Sequence, residues 1–170
     1  MKTINPNILG GLGVEYNPEK AVDEYEPRLT TRVFVIDKDR NIGLVKHNDM
    51  LFPPGGGVED GEDIFDASKR EVAEEIHVIC EPLEDFGVLE HYHEKWMKKF
   101  IIHHVYATTN KNEVKVDLED YDTNLEIVWM NLDKYIKLLE EYLGKTDDVW
   151  AKGILYFLNE LKNNELLCVK

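Results

Sequence analysis

The chain has 170 residues, 43% of them hydrophobic, and a formal net charge of −14. That length and apolar content suit one domain, 1–170, with a real core, and no run of 18 apolar residues offers a membrane span. The acidity speaks against a nucleic-acid polymer or an anionic membrane as partner, because both need a basic footprint.

The N-terminus MKTINPNILGG has no apolar stretch of signal-peptide length, so a cytoplasmic location is expected. Cys80 and Cys168 are far apart, fit no CxxC spacing, and read as two reduced thiols. Residues 1–28 read as an extension before the core. Ile8 to Val14 is a short strand or loop there, and Pro18 and Pro27 break any long element. Thr30 to Asp37 is β-branched and aromatic, the composition of a central strand. Asp37 to Asn41 is a turn, and Ile42 to His47 is its hairpin partner.

The stretch from Gly55 to Val78 carries the chemistry. Gly55, Gly56 and Gly57 follow Phe52-Pro53-Pro54 and allow close backbone approach. The run from Asp63 to about Ile76 holds no Pro or Gly and suits a helix. On it Glu71, Glu74 and Glu75 share one face at i, i+3 and i+4. Ile64, Ser68, Val72 and Ile76 form the neighbouring ridge, with Phe65 and Ala73 beside it, and that ridge is the buried face. The carboxylates therefore stand at the border of the core. Hard oxygen donors clustered this way suit Mg²⁺, with Mn²⁺ as the alternative. A glycine loop entering such a helix implies a divalent metal together with phosphates, and the metal offsets the chain's own negative charge. Without that loop and spacing, the same glutamates would read as a solvated acidic helix face.

Beyond it, Glu84 to His93 and Lys99 to Thr108 read as two strands, with Trp96 near their connection. Residues 109–124 are a polar, acidic loop with a short strand at Glu113 to Val116. Glu126 to Met130 is a last strand. Leu132 to Leu143 and Thr146 to Leu161 are helices, the second capped by Thr146 or Asp147. This order implies a mixed sheet with helices on both faces. His91 and His93 share a strand face beside His103 and His104, but no convergent set argues for zinc. Tyr92, Trp96 and Phe100 are candidates to stack a nucleobase, and Trp129 reads as core.

The stretch resembles the box of the Nudix hydrolases. Gly56 is followed at the family's spacing by Glu62, then Arg70-Glu71, Val72, Glu74-Glu75 and Val78. His77 stands where the family has Gly. The family Gly would end the helix in a left-handed conformation, so His77 implies a strain of roughly 1 kcal/mol. The resemblance implies an α/β/α sandwich with a mixed β-sheet between helices. It also implies hydrolysis of a phosphoanhydride bond in a nucleoside diphosphate linked to another moiety, such as a nucleoside triphosphate or a nucleotide derivative. Glu71, Glu74 and Glu75 would hold Mg²⁺ together with the Gly56 carbonyl. Arg70 would hold a box glutamate in place, and Glu71 and Glu74 would serve catalysis with it. Glu62 is the less certain ligand. Glu126 is a candidate for the extra carboxylate that many members supply late in the chain, in competition with Glu119, Asp120 and Asp122. Arg32, Gly55, Gly57, Tyr92 and Trp96 are the expected substrate contacts, and a homodimer is the expected assembly.

Some subfamilies carry a Pro or Tyr roughly fifteen to eighteen residues past the box. Here that window holds His93 to Trp96, which lowers the weight of the ADP-ribose and dinucleoside-polyphosphate classes. A sensor that binds a nucleotide without cleaving it is the alternative. Such domains often lose box carboxylates, and this chain keeps them.

Overall fold

Strand β2 (Glu26–Asp37) is the axis of a computed structural model that describes residues 3–4, 24–48, 50–112 and 125–163. Its side chains alternate between two cores, as the period of two in a strand requires. Val33 and Val35 pack towards helix α1 (Ile64–Ile76), with Val72 and Ile76. Phe34 and Ile36 pack towards α2 (Leu132–Leu143) and α3 (Val149–Asn163), with Leu139, Ile154 and Phe157. One sheet lies between helices on both faces, an α/β/α sandwich.

The sheet also contains β1 (Thr3–Ile4), β3 (Asn41–His47), β4 (Met50–Phe52), β5 (Glu81–His93), β6 (Lys98–Thr109) and β7 (Glu126–Asn131). Its order is β1-β5-β6-β2-β3-β4, with β7 on the other edge of β3. β6 runs parallel to β2, and β5 antiparallel to β6. β2 and β3 pair only at the hairpin, Ile36 with Ile42, and then separate. The freed edge of β2 is taken by the glycine loop. Val33 N–H donates to the Pro54 carbonyl and Thr31 N–H to that of Gly56, both at 2.9 Å, and Val58 N–H donates to the Leu29 carbonyl. The split satisfies every one of these backbone groups while setting the loop into the sheet.

Several expectations shift. Pro27 lies inside β2, paired with Lys99, because a proline near a strand start costs little of the ladder. β1 and β4 are too short to show as sequence patterns. Helix α3 is capped by Asp148, not by Thr146 or Asp147: its Oδ1 accepts from the amides of Trp150 and Ala151. Phe65 is 37% exposed, and Ala67 takes its place in the core. The expected elements at Ile8 to Val14 and Glu113 to Val116, and Cys168, lie outside the described residues. Cys80 is a buried free thiol whose pKa burial pushes up to about 11, so it is unreactive near neutral pH.

Helix α1 starts on Asp63, whose Oδ1 accepts from Phe65 N–H and Asp66 N–H at 2.8 Å. It ends on His77 at φ 57°, ψ 34°, the left-handed cap, with the His77 amide donating to the Ala73 carbonyl. Here an imidazole-bearing residue occupies a conformation that glycine adopts freely. His77→Gly is expected to raise stability by up to about 1 kcal/mol, or a few degrees in Tm, by relieving the left-handed strain. Turnover should stay at the parent level; a large loss would show that the imidazole serves the chemistry.

Candidate active site

Arg70 organises the carboxylates. Its guanidinium grips Glu62 in a two-pronged pair, Nε to Oε1 at 2.8 Å and Nη2 to Oε2 at 2.9 Å. Nη1 donates to Glu71 at 2.9 Å and to Glu74 at 3.1 Å, and Nη2 also donates to the Gly57 carbonyl. One cation thus holds the glycine loop, the helix start and the metal-candidate glutamates together, the kind of forked geometry that lysine cannot supply. The pair drops the Glu62 pKa to about 2. Glu62 accepts from Arg70 and from the Glu59 amide, so it is an anchor for the arginine.

Glu71 and Glu75 behave differently. Glu71 is only 8% exposed, and burial raises its pKa despite Arg70. Burial also lifts Glu75, to about 7, although its Oε2 accepts from Gly55 N–H at 2.9 Å. Glu71 and Glu74 add like-charge repulsion to Glu75. This is a stripe of carboxylates short of positive charge.

The glycines make room for it. At Gly55, φ is +149° and a Cβ would collide with the Thr31 carbonyl. At Gly56 a Cβ would stand 2.5 Å from Glu71 Oε1. The Glu71 carboxylate therefore lies directly over the Gly56 backbone, in space that any side chain would fill. Carboxylate and carbonyl oxygens around a glycine form a donor set that fits Mg²⁺ or Mn²⁺. Among the described residues no three acidic or imidazole groups converge as a finished cation cage. Arg70 draws Glu71 and Glu74 to itself, so an arriving ion must compete with it.

Two hollows flank the loop. One, of about 450 Å³, is lined by Gly55 and Glu75 on one side and by Trp96, Phe100 and Trp150 on the other. Phe100 meets Trp150 edge-on at 5.5 Å and Trp96 at 6.0 Å. Trp96 is 56% exposed and lies flat on His93, with ring centroids 3.9 Å apart. The other hollow, of about 520 Å³, is polar and is lined by Gly57, Arg70 and Glu71 with Arg28, Glu59 and Lys98.

A family model described as NUDIX domain matches residues 26–150, which include strands β2 to β7, the loop and all the residues of this arrangement. The chain belongs to the Nudix family. Its fold is that of solved Nudix structures. A NUDIX hydrolase from Nitrosomonas europaea aligns at TM-score 0.56 and 20% identity, over 79% of this chain and 90% of that one. A hydrolase of the NUDIX family from Clostridium perfringens aligns at 0.55 and 16%, over 80% and 98%. An ADP-ribose pyrophosphatase from Streptococcus suis aligns at 0.54 and 21%, over 82% and 94%. No curated protein matches the chain. No described helix is long and apolar enough to cross a membrane.

In this Nudix hydrolase, Glu71, Glu74, Glu75, Arg70 and Gly56 come together as the sequence predicts. Two other expected site residues, Glu126 and Tyr92, do not. Glu126 is paired with Lys46 at 2.7 Å and is solvent-exposed. Its neighbours Leu125 and Ile127 pack on the α1 side, so strand alternation turns Glu126 to the opposite face, away from the box. Tyr92 is likewise turned from the cleft by alternation and meets Tyr25 edge-on, while His91 and His93 face the aromatic wall. Arg32 lines the cleft, but its Nη1 donates to the Pro53 and Gly55 carbonyls, as a part-buried charge needs. The Gly55 amide is committed to Glu75 and the Gly57 carbonyl to Arg70. Trp150 escaped the sequence reading. Its one signal was an aromatic at the start of the last helix, and only the fold brings that helix to Phe100.

Proposed function

We propose that this chain is a Mg²⁺- or Mn²⁺-dependent hydrolase that cleaves a phosphoanhydride bond in a nucleoside diphosphate linked to another moiety. The observation that carries this reading is Glu71 lying over Gly56, with Glu75 beside it at the edge of an aromatic cleft. Glu71, Glu74, Glu75 and the Gly56 carbonyl would hold the ion. When bound, it supplies an acidified water and neutralises charge on the phosphate oxygens.

The protein's own groups do the rest. Arg70 fixes the rotamers of Glu71 and Glu74, and Glu62 fixes Arg70. Glu71, buried and held at the loop, takes the proton of the attacking water. Trp96, Phe100 and Trp150 offer ring faces and edges to a nucleobase. Arg32 braces the loop from below.

Formation of the phosphorylated products from a panel of nucleoside triphosphates and nucleoside diphosphate derivatives, resolved by chromatography, tests the reading. Turnover is expected with millimolar Mg²⁺ or Mn²⁺ and none in EDTA. Full turnover in EDTA would sink the metal mechanism. Binding of a nucleotide without turnover would make the chain a sensor. The metal should also raise Tm by mass action, since it binds only the folded site.

A further inference from the structure

We propose that Arg28 is a phosphate clamp, a positioning residue that grips a phosphoryl group in the polar hollow beside Arg70 and Glu71. The proposal rests on the phosphoanhydride reading above and adds a residue to it. Arg28 stands two strand periods before Arg32, on the same face of β2, but the two arginines are used differently. Arg32 is committed to the Pro53 and Gly55 carbonyls. Among the described residues the Arg28 side chain has no hydrogen bond or ion pair. Its guanidinium lies 6.0 Å from the centroid of the Phe100 ring, and its side chain lines the polar hollow with Arg70 and Glu71.

The position is what matters. Phe100 lines the aromatic hollow, and Arg28 lines the polar one while lying over Phe100. The guanidinium therefore lines the polar hollow while lying over a ring that lines the aromatic one. Its Nη2 lies 3.4 Å from where a Gly57 Cβ would be, so the loop leaves it clear of side chains. A nucleotide with its ring against Phe100 and its phosphates beside the box carboxylates would bring phosphate oxygens towards Arg28. A planar fork that pairs with no described residue is the group best suited to two phosphate oxygens. Arg70 cannot serve there, because its donors are spent on Glu62, Glu71, Glu74 and Gly57.

The test uses inorganic pyrophosphate binding by calorimetry with Mg²⁺ present, on the parent, Arg28→Gln and Arg28→Lys. Gln keeps the stem over Phe100 and removes the charge, while Lys keeps the charge and removes the fork. Parent binding is expected, with a loss of about 10- to 100-fold in the Gln variant and an intermediate loss in Lys. Tm should be unchanged in both, because the side chain is exposed. On any nucleotide that turns over, KM should rise by more than kcat falls. Equal pyrophosphate affinity in parent and Gln variant would overturn the clamp, as would a parent that does not bind pyrophosphate. Retained pyrophosphate binding with no nucleotide hydrolysed would remove the nucleotide reading and leave Arg28's role standing.

Discussion

Glu74→Gln and Glu75→Gln are each expected to lower turnover by about 10²–10³-fold, the usual loss when one transition-state electrostatic contact is removed. Stability should move the other way, most clearly at Glu75. Its carboxyl is pushed up to about 7 from an ordinary 4.5, so the fold prefers the neutral form. The folded protein without metal is then destabilised as pH rises from 4.5 through 7, because the unfolded chain ionises first. At pH 8 that burden is about 3 kcal/mol at 1.36 kcal/mol per unit. Gln keeps an oxygen for the Gly55 amide and carries no charge. In EDTA at pH 8, Glu75→Gln should therefore melt higher than the parent, and the gap should narrow as pH falls and close below pH 4.5. Turnover within a few-fold of the parent in both variants would mean the acidic face is only solvated. Lost stability with activity falling in proportion would make these carboxylates structural.

Arg70→Gln should give the opposite pattern, with stability and activity lost together. The substitution leaves Glu62, Glu71 and Glu74 close together without their shared cation. Removing one partner of a fully buried pair costs about 3–5 kcal/mol. Arg70's side chain is 22% exposed, so about 2–3 kcal/mol is the fitting figure here, or roughly 5–10 °C in Tm. Glu62 should also lose its depressed pKa. The parent draws stability from Glu62 above pH 4.5, and loses it as pH falls towards 2, while the variant should lack that acid-sensitive step. Thermal melts of both proteins from pH 7 to pH 2, with turnover at pH 7, decide it. An unchanged Tm would show that the network seen around Arg70 does not hold the loop.

How much of this was legible beforehand follows from the range of each interaction. Helix α1 and its charged face were readable, because spacing along one helix fixes which side chains share a face, and the left-handed end at His77 came with the family resemblance, which has Gly there. Arg70's grip on a box glutamate came with the family spacing. Its hold on Glu62 and the Gly57 carbonyl needed the loop to fold back onto the helix. The strands were visible from composition, but not which of their faces would meet the cleft. Tyr92 and Glu126 failed for that single reason: a strand shows alternation, and nothing local says which parity points to the site. Arg32 shows a further limit, for it was an expected substrate contact and its commitment to two carbonyls was not legible.

The sequence by itself determined the family, the helix that bears the carboxylates and the glycines that make room for them, because these depend on residue identity at fixed short spacing. Tertiary structure alone decided that β2 and β3 part after one pair, that the loop enters the gap, and that Trp150 and Phe100 wall the cleft beside it. Those contacts join residues scores of positions apart. Burial and sheet pairing choose among them, and neither leaves a mark in the local pattern of the chain.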